Sequence, residues 1–471
     1  MDDELFGLTQ SDLERALNLS LSRGGDFAEL FLERRVHSSI RMEEEIVKDT
    51  SESIVLGLGV RVLKDDQTGY GYTSDLSPDG IRRAARSAAA IASGGSGGNA
   101  AHPGRAIRGG ERLPGPDEAH AAPLPVKIGL VREAYEAARR YDPAVDKVKV
   151  SLSDVIQTVL IVNSEGLLAT DRRPMVRLVC LAIAARGGRR EAGFSGGGGR
   201  IGLSHLSGKM SPVTIGSEAA REAVGLLEAR EAPAGEMPVV LAPGHSGVLI
   251  HEAVGHLLEA DFVRKKTSVF WDKLGRRVGS GPVSIYDDPT IPFFRGSYGV
   301  DDEGTVPART PLVERGVLTG LIQDRLSARL LGRRTTGHGR RQDFTCFPLP
   351  RMSNIFIDRG DHDPEEIIRS VKRGFYAERF LGGQVEDSGK FTFSVSSGRL
   401  IEDGRLTFPV KQATLIGSNL DILRKISRVG SDLAFSLQTG TCSKEGQDVP
   451  VTDGCPTLKV DSMTVGGSLE G

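Results

Sequence analysis

The stretch GHSGVLIHEAVGHLLEADF, residues 244–262, places two histidines and a glutamate inside an apolar segment. It follows the strand-like run MPVVLA at 237–242, and Pro243-Gly244 interrupts that extended run. Ser246 is positioned to cap a helix whose residues are apolar on most sides. A helix of this kind is predicted to be buried, so its imidazoles and carboxylate need hydrogen-bond or metal partners.

The two histidines have an unusual spacing. His251, Glu252 and His256 form H-E-x-x-x-H, one residue longer than the H-E-x-x-H of zinc peptidases. In a regular α-helix, positions i and i+5 lie about 140° apart around the axis and cannot share a metal ion. One π-type turn, with about 4.4 residues per turn, brings them within roughly 50° of each other. The spacing predicts such a turn, with Gly255 relieving the crowding, whereas the alternative is two unrelated core histidines.

Composition limits the classes of function. The chain has 471 residues, which suggests two or three domains. Its 60 basic and 62 acidic residues give a net charge of -2, so nothing favours binding to nucleic acid or to an anionic membrane. No apolar run of 18 residues is present and the N-terminus is acidic, which predicts a cytoplasmic protein. The four cysteines lack paired spacing and are expected to be thiols or metal ligands.

The order of predicted elements indicates an α+β fold with a domain boundary near residue 230. Residues 1–229 are predicted to form an antiparallel sheet with flanking helices, and 52–63 is the clearest strand because apolar residues alternate there. Within this domain, 93–124 has the composition of a flexible linker or insertion, and the FSGGGG run at 194–199 is predicted to be a mobile loop. Residues 230–471 are predicted to form a mainly β domain around the buried helix.

Two histidines require a further metal ligand, because a catalytic zinc site has three protein ligands and one open position. Cys442 lies in the glycine-bounded turn GTCSKEG at 440–446, where Lys444 would favour the thiolate. Cys455, in the sequence DGCP, is the competing candidate. Either cysteine is also compatible with a small buried packing residue, and the spacing does not choose between them.

Several separated motifs carry a resemblance to a known family. They are HEAVGHLLEADFVRKKTSVF at 251–270, RGSYGVDDEGT at 295–305, GHGRRQDF at 337–344, PLPRMSN at 348–354, GGQVEDSGKFTFS at 382–394, PVKQATLIG at 409–417, TCSKEGQ at 441–447 and MTVGG at 463–467. Through these motifs the chain resembles the TldD subunits of the TldD/PmbA (TldE) family of zinc metallopeptidases over nearly its whole length.

The resemblance implies a metal site. The family's cysteine lies in a C-G-K-x-G-Q segment, which selects Cys442, with Ser443 in place of the usual glycine, and Cys455 stands where a glutamine is common. It implies one zinc ion per active subunit, held by His251, His256 and Cys442. The presence of the histidine motif implies that this chain is the active subunit, because TldE-like subunits lack it.

The resemblance also implies a reaction and partners. The reaction is hydrolysis of peptides or unfolded protein segments by a metal-activated water, with Glu252 as the general base by analogy with H-E-x-x-H enzymes. The chain is expected to form a dimer, either with itself or with a TldE/PmbA-like subunit. Four further side chains could stabilise the oxyanion or bind substrate: His338, Arg340, Arg341 and Arg351.

Two other functions are compatible with the same residues. The first is a non-catalytic regulatory or assembly subunit in which zinc is structural, closed by a fourth protein ligand such as Cys455. The second is a metal-dependent hydrolase of a substrate that is not a peptide. Loss of hydrolysis but not of zinc on removal of Glu252 would distinguish the peptidase from the first alternative.

Overall fold

The computed structural model describes residues 6–91, 105–111, 113, 119–385, 389–437 and 440–467. Within these ranges, the first half of the chain combines one seven-stranded sheet with four α-helices. Its elements in chain order are α1 (Gln10–Leu21), β1 (Phe27–Glu43), β2 (Ile46–Lys64), β3 (Gln67–Thr73), α2 (Pro78–Ala89), β4 (Arg105–Arg108), α3 (Leu124–Tyr141), β5 (Val145–Asn163), β6 (Leu167–Arg186), β7 (Arg189–Gly199) and α4 (Pro212–Leu227).

The two faces of this first sheet have different neighbours. The strand order is β3-β2-β1-β5-β6-β4, β7 also pairs with β6, and every pair is antiparallel except β4 with β6. Side chains alternate between the faces of a strand. Even-numbered residues of β1, β5 and β6, such as Leu30 and Leu178, therefore pack against the helices. Odd-numbered residues such as Phe31 and Ile161 pack against Val300 of the C-terminal half.

The glycine run predicted to be a mobile loop is part of β7 instead, so that prediction is wrong. β7 forms an antiparallel ladder with β6, from Arg189 opposite Arg186 to Gly199 opposite Val176. Directly before the run, the strand lies so close to α4 that a Cβ on Gly193 would be 2.1 Å from the carbonyl oxygen of Ala219, and within the run a Cβ on Gly199 would be 2.3 Å from the carbonyl oxygen of Phe293. Glycine here permits close packing of a helix on a strand, which composition alone does not distinguish from flexibility.

The predicted linker at 93–124 falls largely outside the described residues, which omit 92–104, 112 and 114–118. The described remainder departs from the prediction. Residues Arg105–Arg108 form β4, which pairs in parallel with Leu167–Thr170, and Ile107 is buried. This short part of the stretch therefore belongs to the edge of the sheet.

The second half of the chain is built mainly from strands. Its elements in chain order are β8 (Arg230–Glu231), β9 (Gly235–Leu241), α5 (Gly247–Ile250), α6 (Ala260–Arg264), β10 (Ile285–Asp287), β11 (Thr310–Glu314), β12 (Val317–Leu318), α7 (Arg325–Leu330), β13 (Gly339–Arg340), β14 (Leu349–Pro350), β15 (Asn354–Ile357), α8 (Pro364–Arg369), β16 (Arg373–Val385), β17 (Lys390–Glu402), β18 (Arg405–Ser418), α9 (Asn419–Lys425), β19 (Ile426–Val429), β20 (Ala434–Phe435), β21 (Gly440–Lys444), β22 (Gln447–Cys455) and β23 (Leu458–Gly466).

These strands form a barrel and a second sheet beside it. One sheet has the order β19-β23-β9-β16-β17-β18-β8, and an additional pairing of β23 with β18 closes five of its strands into a ring. The other has the order β12-β11-β10-β15-β22-β20, with β21 also paired to β22. Leu241, Phe375, Phe393 and Leu415 from the barrel strands join one large apolar core.

The helical segment after β9 is buried in that core, against β15, β16 and β22. Leu249, Ile250, Ala253 and Val254 have no exposed surface. The predicted α+β class, with antiparallel strands and helices first and mainly strands afterwards, is confirmed. Among the described residues, no helix combines the length and the apolar character needed to span a bilayer.

Candidate metal centre and active site

The helical segment after β9 changes its winding at the two histidines. α5 ends at Ile250, a π-helical turn covers His251–Gly255, and a 3₁₀ turn covers His256–Leu258. The wider turn brings the two imidazole rings to 5.1 Å between centres. The predicted π turn is confirmed. A Cβ at residue 255 would lie 2.0 Å from the sulfur of Met352 and 2.9 Å from Cδ1 of Ile355, so a side chain there would displace these buried residues.

The start of this segment differs from the prediction. Ser246 occupies the N-cap position, but its side chain makes no capping hydrogen bond, so that expectation is wrong. The chain instead turns at Gly244, which has a φ of 86° and a backbone amide bonded to the carbonyl of Cys455 at 2.9 Å. A positive φ suits glycine, and the bond fixes the direction in which the helix enters the core.

Cys442 approaches the histidines from the second sheet, where β21 pairs with β22. Its Sγ lies 3.4 Å from His256 Nε2. The ligand atoms of His251, His256 and Cys442 all lie within 4.8 Å of one another. His251 and Cys442 are buried and His256 is half-buried. In the part of the chain that the structure describes, this is the one group of three or more potential ligands with such geometry.

Two carboxylates hold the histidine rings in orientation. His251 Nδ1 is 2.8 Å from Asp453 Oδ1, and His256 Nδ1 is 3.0 Å from Glu259 Oε2. Both carboxylates are buried. A carboxylate at Nδ1 leaves Nε2 of each ring available to a metal ion and increases the basicity of that nitrogen.

The histidines also control the ionisation of the cysteine. Burial acts to raise the pKa of the Cys442 thiol, but His251 and His256 hold that pKa well below its ordinary value. Burial acts to lower the pKa of His256, which Glu259 and Cys442 raise to about 10. The expectation that Lys444 promotes the thiolate is wrong, because its Nζ is 2.9 Å from Glu259 and is engaged there.

The donor atoms fit a transition-metal ion. Two imidazole nitrogens and a thiolate suit this class of metal, whereas magnesium and calcium prefer oxygen ligands. Three protein donors also leave a coordination position open, as catalytic sites do. His251, His256 and Cys442 therefore fit a transition-metal ion, and Asp453 and Glu259 are hydrogen-bonded to the two histidines.

Glu252 lies beside these donors, on the wall of a cleft of about 150 Å³ that His245, His251 and Asp453 also line. Its Oε2 is 3.7 Å from His256 Nε2, and its side chain is 30% exposed. Burial raises the pKa of Glu252, and the two histidines oppose the rise. A carboxylate that borders both the donor group and open space is positioned to exchange a proton with a bound molecule.

Cys455 lies apart from this group. Its Sγ is 3.6 Å from the carbonyl oxygen of Ala242 and 3.8 Å from that of Gly244. The side chain is fully buried, and burial raises the pKa of its thiol. Of the two candidate cysteines, the structure brings Cys442 to the histidines and gives Cys455 the surroundings of a packing residue.

His338 and Arg341, two of the four predicted substrate or oxyanion residues, are engaged within the fold. His338 is fully buried, with Nε2 2.9 Å from Asp287 Oδ1 and Nδ1 2.9 Å from Thr336 Oγ1. Arg341 forms a buried ion pair with Glu29 of β1. His338 therefore has a hydrogen-bond partner at each ring nitrogen, and Glu29 balances the charge of Arg341.

Arg351 and Arg340, the other two, lie nearer to the candidate site. Arg351 Nη2 donates to the carbonyl oxygen of Cys442 at 2.7 Å and to its Sγ at 3.3 Å. Arg340 Nη2 donates to the carbonyl oxygen of Pro450 at 2.7 Å, and Arg340 lines a larger cavity next to the cleft. Arg351 thus contacts the side chain of the candidate ligand Cys442 directly, and no hydrogen bond joins Arg340 to it.

Comparison with known proteins identifies the family. Models of the PmbA/TldA metallopeptidase domain 1, central domain and C-terminal domain match residues 28–92, 117–227 and 234–467. A metalloprotease TldD homolog of Haemophilus influenzae is 41% identical, over 98% of this chain and 97% of that protein. The chain belongs to the PmbA/TldD metallopeptidase family. The resemblance carried by the motifs is confirmed.

Other members of the PmbA/TldD family agree in sequence and fold. A metalloprotease TldD homolog of Buchnera aphidicola is 38% identical, over 98% of this chain and 97% of that protein. The crystal structure of TldE from Thermococcus kodakarensis has a TM-score of 0.76 and covers 97% of this chain and all of that one, at 19% identity. The fold is therefore common to proteins of the family with very different sequences.

Sequence reasoning missed the two carboxylates that orient the histidines. Glu259 follows His256 by three residues, a spacing that places side chains on one helical face and could have been recognised. Asp453 is 202 residues from His251. No local pattern links residues so far apart, so only the fold reveals that contact.

Lys444 offers a test of the buried charges in this PmbA/TldD family member. Its Nζ lies 2.9 Å from Glu259 and 2.8 Å from Asp261, with all three side chains at most 6% exposed. Lys444→Met removes the cation that pairs with the buried Asp261 and leaves the buried Glu259 with His256 as its remaining partner. We expect the free energy of unfolding of the metal-free protein at pH 7 to fall by about 3–5 kcal/mol in urea titrations.

The effect of Lys444→Met should depend on pH. Burial acts to raise the pKa of Glu259, but Lys444 and His256 lower it from 4.5 to about 2. That stabilisation is complete above pH 4.5 and is lost as the pH falls toward 2, so the difference from wild type should shrink over this window. Lys265→Met is the control, since Lys265 is 52% exposed and 3.8 Å from Glu445. Equal stability of the two variants at pH 7 would refute the expectation.

Proposed function

We propose that this chain is a zinc-dependent peptidase that hydrolyses peptides or unfolded protein segments. Zinc would be held by His251, His256 and Cys442, one ion per chain, and Glu252 would act as the general base. The observation that carries the proposal is that three donors of the right type converge within 4.8 Å and that Glu252 borders the same cleft. The relatives named metalloproteases support the class of reaction.

Zinc is the metal that two imidazoles and one thiolate favour. When bound, the ion supplies a Lewis acid that polarises a carbonyl group and lowers the pKa of water. The protein must orient the metal ligands and disperse the negative charge of the sulfur. Asp453 and Glu259 keep the two rings in their binding orientation, and Arg351 donates to the sulfur of Cys442 at 3.3 Å, which disperses its negative charge.

Glu252 would carry the proton transfers. Hydrolysis of a peptide bond adds water to the carbonyl carbon and breaks the C–N bond, so one proton must leave the water and one must reach the amine nitrogen. The carboxylate of Glu252 would accept the first proton and donate it to the departing amine. Its position beside His251 and His256, on the wall of the cleft, supports both transfers by the same side chain.

We also propose that the active form is a dimer, either of this chain or with a TldE/PmbA-like subunit. Two apolar side chains that share one face of β2 are exposed, Ile54 (60%) and Leu56 (38%). Contiguous exposed apolar surface is typical of sites that bind another protein. The similar fold of the Thermococcus TldE is compatible with a pair of related subunits.

Metal removal tests the proposed function. The purified chain, alone and mixed with a TldE/PmbA-like subunit, is treated with a chelator and incubated with an unfolded protein. We expect peptide products, detected by mass spectrometry, to disappear on metal removal and to return with one equivalent of zinc per chain, because the ion supplies the Lewis acid. Circular dichroism would monitor folding.

The outcomes separate the alternatives. Hydrolysis that survives metal removal from a folded protein would refute the mechanism. A chain that retains one zinc ion but cleaves no peptide bond, alone or with its partner, would favour the non-catalytic subunit. Products that form only in the mixture would identify an obligate pair.

A further inference from the structure

A cavity of about 580 Å³ lies between the first sheet and the C-terminal half. One wall is the odd-numbered face of β1, β5 and β6, which includes Gln157, Met175 and Arg177. The opposite wall includes Arg295 and Arg340. The volume is typical of cavities that bind small molecules or parts of larger ligands.

Seven arginines among the described residues line this cavity, and four of them pair with carboxylates. Arg35 pairs with Glu33 and Asp343, Arg173 with Asp171 and Asp302, Arg341 with Glu29, and Arg200 with Asp171 at 3.9 Å. Their charges are therefore compensated within the fold. The others include Arg295 and Arg340, whose surroundings differ.

Arg295 has no carboxylate partner among the described residues. Its Nε donates to the carbonyl oxygen of Gly440 at 2.8 Å, Nη1 is 2.7 Å from the sulfur of Met175, and Nη2 is 3.4 Å from Thr441 Oγ1. A thioether is a weak acceptor. These contacts hold the guanidinium in place but leave its positive charge uncompensated.

Arg340 has a similar environment. It donates to the backbone carbonyl oxygens of Met352 and Pro450, and it forms no ion pair with a described residue.

Burial lowers the pKa of Arg295 to about 10, and the nearby charges of Arg177 and Arg340 act in the same direction. Like charges brought together in a desolvated space stabilise an anion that enters it.

The carboxylates on the cavity wall do not supply that anion. Asp302 is paired with Arg173 at 2.6 Å. Burial and the neighbouring Glu303 raise the pKa of Asp301 well above its ordinary value, which favours its neutral form. Asp448 is exposed and accepts a hydrogen bond from Ser443. The positive charge at Arg295 and Arg340 therefore remains available to a ligand.

The cavity adjoins the candidate metal centre. Arg177 and Thr441 line both the cavity and the cleft that contains Glu252. Thr441 immediately precedes the ligand Cys442, and Arg295 contacts both Gly440 and Thr441. A peptide bound in the cleft can thus extend into the cavity past the strand that carries the metal ligand.

We propose that this cavity binds a carboxylate of the peptide substrate through Arg295, with Arg340 on the same wall. The enzyme would then prefer peptides that carry a negative group on one side of the scissile bond. The carboxylate belongs either to the peptide C-terminus or to an acidic side chain, since the two present the same chemistry. The proposal rests on the peptidase function and names a determinant of its specificity.

Three matched peptides test the proposal. They share one neutral sequence and end in a free carboxylate, in an amide, or in a glutamate with an amidated terminus. We expect the wild type to hydrolyse at least one of the two carboxylate peptides with a kcat/KM at least about tenfold above that of the neutral amide, a difference of about 1.4 kcal/mol. Arg295→Gln should bring this ratio close to one.

Matched variants and a binding assay complete the test. Arg309→Gln is the control, because Arg309 is 46% exposed, pairs with Asp358 and does not line the cavity. Arg295→Lys keeps the positive charge but loses the planar guanidinium group. Its ratio of kcat/KM values should lie between those of the wild type and Arg295→Gln, and it replaces the glutamine variant if that protein does not fold. Fluorescence anisotropy with Glu252→Gln protein measures the affinities without turnover.

The outcomes test the carboxylate site and the peptidase function separately. A preference for the free terminus alone, for the glutamate alone, or for both identifies the source of the carboxylate. Preferential binding without any hydrolysis by the wild type would retain the carboxylate site and reject the peptidase function. Equal affinity of the Glu252→Gln protein for all three peptides, together with equal kcat/KM in the wild type, would overturn the carboxylate site.

Discussion

Glu252→Gln is expected to reduce kcat for peptide hydrolysis by about 10²–10⁴-fold, the usual contribution of a general acid or base. Glutamine preserves the size of the side chain but cannot accept a proton from water. The donors His251, His256 and Cys442 are unchanged, so one zinc ion per chain should remain bound. Steady-state kinetics and metal analysis of the same preparation give both results.

The control for this variant is Glu314→Gln, an exposed glutamate at the end of β11. It should have wild-type kinetics. Full activity in Glu252→Gln protein would show that another group transfers the proton, and the proposed mechanism would be abandoned. Loss of zinc together with activity would instead assign Glu252 a role in holding the metal.

Cys442→Ala is expected to abolish hydrolysis and to weaken metal binding by more than about 100-fold. Loss of a hydrogen-bond partner outside the ligand sphere already weakens metal binding about 10- to 100-fold, and here a ligand itself is removed. Alanine retains the Cβ on β21, so the strand pairing with β22 should persist. Metal titrations, with circular dichroism to monitor the fold, measure the change.

Cys455→Ala is the matched control, since this cysteine is also buried but its thiol donates to the backbone carbonyl oxygens of Ala242 and Gly244. It should retain one metal ion per chain. If Cys442→Ala protein keeps its metal and Cys455→Ala protein loses it, the assignment of the third ligand is reversed. If both keep it, the site depends on the two histidines alone.

The part of the site that lies within one segment could be predicted from the sequence. The apolar surroundings of His251 and His256 indicated a buried helix, and their five-residue separation indicated a π turn, both of which the structure contains. These are local properties, since they depend on helical geometry over a few residues. Gly255 was predicted to relieve crowding within the turn, whereas the structure shows that a side chain there would meet Met352, which is distant in sequence.

The remainder depends on contacts between distant parts of the chain. Asp453 reaches His251 only because β22 is parallel to β15 in the second sheet, and the fold alone brings the two residues together. The strand predicted at 52–63 begins at Ile46 in the structure. Its first half is exposed and lacks the alternation that reveals a buried face, so the predicted strand began too late. The glycine run at 194–199 was misread because its close neighbours, such as Met210 beside Gly197 and Phe293 beside Gly199, are likewise not local ones.

The closure of the barrel by β23 has a consequence for the order in which this protein is made. The first sheet is complete once residue 199 has been synthesised, whereas Cys442, Asp453 and β23 all follow residue 440. Because domains fold as their sequences emerge from the ribosome, the donor group can form only after β21 and β22 have been synthesised. A chain that terminates before Cys442 would lack both the last donor and the strand that seals the barrel, so the proposed hydrolysis requires the chain through β23.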